Sequence, residues 1–129
     1  MMRIDRKAET AVVELFVEIL GTTTVHRNYR GFDFLRGDPT PKRPKGVPLP
    51  VDAYFPEFNL VLEYMGKQHY KQCDFMDRRP GRRLQRQRYD QRRAEEIPKH
   101  GTMFVVVRYD DPLTRELVRH KLRSVGIRR

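Results

Sequence analysis

The chain is short of cysteine, of acids and of long apolar runs, and each shortage removes a class of protein. One cysteine, Cys73, in 129 residues excludes an internal disulfide and fits a reducing compartment. No uninterrupted apolar stretch approaches the roughly 20 residues of a membrane span. The opening MMRIDRKAE also lacks the apolar segment of a signal peptide. The expectation is a soluble protein that is not secreted and works in the cytoplasm or, for a viral chain, inside the host cell. There is no internal repeat. Acids number 17 against 27 Lys and Arg, which leaves a formal net charge of +10 and a pI near 10.2. So positive a field predicts a polyanionic partner, nucleic acid rather than a membrane surface.

What is present reads as one domain, residues 1–129, built from alternating periodic segments. Ala8 to Leu20 places Ala8, Ala11, Val12, Leu15, Phe16, Ile19 and Leu20 at spacings of three and four, an apolar helix face with Asp5 as its cap and Gly21 as its stop. Glu9, Glu14 and Glu18 fall largely off that face, although one of them could reach a site behind it. Thr22 to Leu35 is β-branched and aromatic and predicts a first, bent strand. Gly37 to Pro50, GDPTPKRPKGVPLP, carries too many prolines for helix or sheet and reads as a basic Pro-rich loop. Its Lys42, Arg43 and Lys45 are candidate phosphate contacts.

Val51 to Tyr70, VDAYFPEFNLVLEYMGKQHY, reads as a β-hairpin. Pro56 suits the first bend of a turn and Asn59 tolerates a left-handed conformation. Pairing Phe55 with Leu60 across that turn places Tyr54 opposite Val61, Ala53 opposite Leu62, and Asp52 opposite Glu63. Directly opposed like charges destabilise an antiparallel pair, and a divalent cation bridging them is the plainest offset. The competing reading is an ordinary hairpin slipped by one residue, which sends the acids to opposite faces.

Beyond the hairpin, His69 and Cys73 have a spacing compatible with zinc on a helix, but two ligands do not make a structural site. Arg82 to Pro98 is a helix by propensity, with only Leu84, Ala94 and Ile97 as a thin apolar stripe. Its arginines suit phosphate oxygens. Arg78, Arg79, Arg82, Arg83 and Arg86 are therefore candidate nucleic-acid contacts. Thr102 to Tyr109 is a continuous apolar run and predicts a buried central strand. Leu113 to Val125 predicts an amphipathic closing helix. The expected order is helix, three strands, helix, strand, helix, an α/β fold with a mixed central sheet flanked by helices.

This order, together with the hairpin acids, resembles the PD-(D/E)XK nuclease superfamily and its restriction-endonuclease-like αβββαβα core. In that family an acid on the second core strand and one on the third hold Mg2+, and a Lys or its substitute follows two residues after the second acid. Asp52 and Glu63 match the acids, whereas the third position is Met65. The segment Glu63-Tyr64-Met65-Gly66-Lys67-Gln68-His69-Tyr70 is closer still to a subgroup of phage and homing endonuclease-like proteins and relatives of very-short-patch repair nucleases. That subgroup's strand reads Glu, aromatic, Asp, Gly, any residue, Gln, His, aromatic, and every position but the Asp is kept. Arg88-Tyr89-Asp90 and the strand Phe104 to Tyr109 continue the similarity.

The resemblance implies a Mg2+-dependent (or Mn2+-dependent) DNA endonuclease giving 5′-phosphate and 3′-hydroxyl ends, with Asp52, Glu63 and the Tyr64 carbonyl as ion ligands and no small-molecule cofactor. Met cannot activate water or bind a hard cation. Three readings of that position stand. If the strand continues past Gly66, Lys67 shares Glu63's face and orients the attacking water. If Gly66 is a bulge, Gln68 or His69 enters the site. Otherwise the position is lost and the fold survives in a non-catalytic nucleic-acid-binding protein. Cutting both strands would need a second site, which points to a homodimer.

Overall fold

A computed structural model describes residues 6–67 and 81–129. Helix α1 (Arg6–Leu20) leads into a sheet of four strands, β1 (His26–Tyr29), β2 (Val51–Phe55), β3 (Leu60–Met65) and β4 (Met103–Arg108). Helix α2 (Arg82–Lys99) precedes β4, and α3 (Arg115–Ser124) follows it. The strands lie in the order β1-β2-β3-β4, antiparallel up to β3 and parallel between β3 and β4. Among the described residues the expected succession of elements is therefore present, in a mixed sheet with three helices.

The β2–β3 connection forms as its residues dictate. Pro56 opens a single 3-10 turn over Pro56–Phe58, and Asn59 ends it in the left-handed region at φ 50° and ψ 50°. Asn59 is then fixed by its side chain, which donates to the Gly101 carbonyl at 2.9 Å and accepts from the Tyr54 hydroxyl at 3.1 Å. The resulting register pairs Phe55 with Leu60, Tyr54 with Val61 and Ala53 with Leu62. That is the register the turn chemistry predicts.

Two apolar layers hold the sheet. On one face Val12, Val13, Phe16 and Leu20 of α1 and Val118 and Leu122 of α3 pack on Ala53, Phe55, Leu60, Leu62, Tyr64, Val105 and Val107. On the other, Ile97 of α2 joins Leu35, Leu49, Val51 and Val61. Burial of this area is the main favourable term in folding. Thr114 caps α3 by accepting from the Leu117 amide at 3.1 Å.

Several expectations need correction. Ala11 is exposed and Val13 buried, so the inward face of α1 runs through positions 9, 13, 16 and 20. Asp5 lies outside the described residues. The first strand is only four residues long. Among the described residues β4 is an edge strand rather than a central one; its apolar run reflects helices on both faces, which burial pattern alone does not distinguish from pairing on both edges. In α2, Leu84 and Ala94 are exposed and only Ile97 is buried.

Polar bonds hold α2 instead. The Arg92 Nη1 donates to the Arg36 carbonyl at 2.8 Å and the Arg93 Nε to the Pro50 carbonyl at 2.9 Å. Asp38 pairs with Arg88 at 2.8 Å and with Arg92 at 3.0 Å, and its amide donates to the Tyr89 hydroxyl at 2.9 Å. These bonds tie the Pro-rich loop to the helix. The loop is also closed on itself, by an Arg36–Pro48 bridge and by the Gly37 amide donating to the Val47 carbonyl at 2.8 Å.

Candidate active site

Asp52 sits where strand pairing lapses on both sides. Toward β3 the ladder stops at Ala53–Leu62. Toward β1 it steps from Arg27–Ala53 to Tyr29–Val51, and the intervening Asn28 is left-handed at φ 51°. A left-handed non-glycine residue is uncommon and locally kinks a strand. Beyond the ladder the two acids take over its role. The Asp52 amide donates to Glu63 Oε2 at 2.7 Å, and the Tyr64 amide donates to Asp52 Oδ2 at 2.7 Å. Each carboxylate therefore caps the other strand's backbone, which draws the pair together.

Glu63 is 4% exposed, on a strand whose six residues are all buried. Its carboxyl is raised well above the usual range, first by burial and then by the charge of Asp52. Arg93 and the Asp52 amide act in the opposite direction, and Asp90 adds to the rise. Arg93 itself is ion-paired with Asp90 at 3.2 Å. One turn of α2 thus places a cation and an anion over Glu63 while its guanidinium also holds the carbonyl at the start of β2.

A third acid, on α1, feels the charge of Asp52. Glu9 is half-buried on the inward face of that helix and ion-paired with Arg27 at 3.7 Å. Its carboxyl is raised by burial and then by Asp52. Sequence periodicity put Glu9 largely off the apolar face; its spacing of four from Val13 and seven from Phe16 is the signal that places it on the inward one. Arg93 had no such signal, because a guanidinium bonded to a carbonyl leaves no hydrophobic period.

The donor set fits a hard divalent cation. Mg2+ is commonly held through one or two carboxylates and keeps several waters, and Asp52 with Glu63 supplies two. Among the described residues, no group of three or more His, Cys, Asp or Glu side chains is placed to hold a metal ion. Tyr64 is buried, with its amide on Asp52.

The remaining sequence candidates divide by position. β3 ends at Met65 and Lys67 is exposed beyond it, so strand alternation does not carry Lys67 onto Glu63's face. Gln68, His69, Cys73, Arg78 and Arg79 lie outside the described residues. Lys42, Arg43 and Lys45 are exposed together in the loop, Arg82 and Arg83 are exposed at the start of α2, and Arg86 is half-buried. Arg88, Arg92 and Arg93, by contrast, bond the chain itself. Among the described residues, no helix is long and apolar enough to cross a membrane. The chain matches no protein-family model, no curated protein and no solved structure.

Proposed function

We propose that the chain is a Mg2+-dependent DNA endonuclease with a restriction-endonuclease-like core. The observation that carries this reading is the convergence of Asp52 and Glu63 where the β2–β3 ladder ends, in a chain of net charge +10. Without a cation, two carboxylates held together with one of them buried are costly. A site that tolerates this cost on a structural element is a candidate for function.

Asp52 and Glu63 would hold the ion, joined by the Tyr64 carbonyl. When bound, Mg2+ polarises a phosphate oxygen and lowers the pKa of a coordinated water. The rest falls to the chain. Arg93 and Asp90 orient Glu63, the exposed cations of the loop and of the start of α2 bind the phosphate backbone, and Gln68 or His69 stands in for the missing residue at Met65. A homodimer would bring a second site to the opposite strand.

A second reading rests on Met65 itself, which is 8% exposed and offers no hard ligand at the third position. It keeps the DNA binding and drops the chemistry. Supercoiled plasmid incubated with Mg2+ or Mn2+ separates the two. The nuclease reading expects nicking by wild type that Asp52→Asn and Glu63→Gln each reduce by about 100-fold or more. Plasmid left equally intact by all three proteins, while each still binds it, would establish the non-catalytic reading.

A further inference from the structure

A row of aromatic rings lies beside the acid pair and takes no part in it. His26 and Tyr54 are register partners across β1 and β2. Tyr29 stacks on Tyr54 at 5.1 Å and 20° and on His26 at 5.4 Å and 23°. Phe32 stands edge-on to Tyr29 at 5.3 Å and to Tyr54 at 5.1 Å. Phe34 follows at 5.3 Å from Phe32 and is itself covered by His100 at 3.9 Å and 5°.

None of these six rings is buried. Tyr29, Phe32, Phe34 and Tyr54 are half-exposed, and His26 and His100 are exposed, whereas Phe16 and Phe55 of the main core are fully covered. The four Tyr and Phe rings pack with one side on the layer of Leu35, Leu49, Val51, Val61 and Ile97 and keep the remainder at the surface, and a contiguous, partly exposed aromatic patch is a candidate binding surface. The backbone makes room for it at Gly31, where a β-carbon would fall on the Tyr29 hydroxyl. Cations flank the strip. Arg30 is exposed and donates to the neutral Pro48 carbonyl at 3.0 Å, with no acid paired to it among the described residues, so its charge is available to a phosphate. Lys99 is exposed beside His100, and the exposed Asp33 is engaged by Arg36 at 3.7 Å.

We infer that this strip is a stacking platform for unpaired bases, so that the polyanion taken by this site is single-stranded DNA or the unpaired stretch of a branched or nicked molecule. The inference rests on the nuclease reading only for the choice of DNA. His26 and His100, the exposed members of the stack, offer surface aromatic area beside cations on which unpaired bases can stack, whereas in a duplex the base faces are hidden. The geometry also joins the platform to the acids. Tyr54 and Asp52 are two residues apart on one strand face, about 7 Å along β2. A base on Tyr54 therefore sets a neighbouring phosphodiester next to Asp52 and Glu63.

Fluorescence anisotropy in EDTA, at one salt concentration, tests this with a short single-stranded DNA, its duplex, and the same sequence as RNA. Single-stranded DNA is expected to bind tightest. His26→Ala and Phe34→Ala should each weaken it by about five-fold or more while leaving duplex affinity unchanged. Photocrosslinking of iodouracil-substituted single-stranded DNA to the wild-type chain needs no variant to fold, and its adducts should fall on the peptides that carry His26 to Phe34 and Tyr54. Tighter binding of duplex or RNA, or adducts confined to other peptides, overturns the inference. A chain that passes this test yet never cleaves loses only the nuclease reading. One that nicks plasmid but fails this test loses only the platform.

Discussion

Replacing Glu63 by Gln should make the protein more stable in the absence of metal and indifferent to metal afterwards. Opposed side chains across an antiparallel pair have β-carbons roughly 5 Å apart. At an effective dielectric near 20, two unit charges at that distance repel by about 3 kcal/mol once the pH has passed the raised pKa of Glu63 and both carboxyls are ionised. Arg93 and the Asp52 amide return part of this in the wild type, and the Gln amide oxygen still accepts from that amide. A net gain of about 1–2 kcal/mol is expected, or about 4–8 °C in melting temperature for a chain of this size. The pH dependence has a definite sign. Because the folded carboxyl of Glu63 is raised above its ordinary value of 4.5, its favourable contribution is complete below that value and is lost as pH rises through the folded pKa. The wild type should therefore lose stability from about pH 4.5 upward, and Glu63→Gln should flatten that slope. Mg2+ at about ten times its Kd should add about 1.4 kcal/mol to the wild type and nothing to the variant. Thermal melts across pH, with EDTA or Mg2+, measure all three effects. If Glu63→Gln melts below wild type in EDTA at a pH where the wild-type slope has levelled off and Glu63 is ionised, the acid pair is a structural clasp and the argument for strain relieved by metal is refuted.

Other outcomes follow from the way α2 is held. Ile97→Ala removes its one buried apolar anchor and should cost about 2–5 kcal/mol. The amides of α2 should lose hydrogen-exchange protection before those of β3. Asp38→Ala should release the Pro-rich loop and speed its proteolysis near Lys42 and Arg43 without changing the helical circular dichroism. The Arg88 and Arg92 hydrogen bonds hold the Asp38 carboxyl below its ordinary value of 3.8. Its contribution is therefore present above that value and lost as pH falls through the lowered one, so loop protection should persist until the solution is more acidic than an ordinary aspartate requires.

The hairpin and its facing acids were legible because Pro56 and Asn59 specify the turn and alternation then leaves no freedom in the register. The succession of helices and strands was legible for the same reason, since each segment carries its own period. Contacts without a period were not. The arginine-to-carbonyl bonds that seat α2, the inward turn of Glu9 and the edge position of β4 depend on which elements meet, and nothing within a single segment records that. The left-handed Asn28 that opens the sheet beside Asp52 is likewise a product of pairing on both sides. The aromatic strip appears in the sequence as strand-forming residues; only the fold shows that they gather into one partly exposed patch.

The buried Glu63 also bears on how this chain avoids sticking to itself. β3 reads LVLEYM, apolar except for that one acid, and its second edge is covered only by the parallel pairing with β4, which lies across a long crossover in sequence. Parallel pairing across so long a crossover is intrinsically slow, which leaves that edge of β3 open to other chains until β4 arrives. Two copies meeting in register at that edge would stack carboxylate on carboxylate, which a charge within an apolar strand serves to prevent. Stability and solubility are thus opposed at a single residue: the substitution that makes the folded chain harder to melt leaves the unfolded one easier to aggregate.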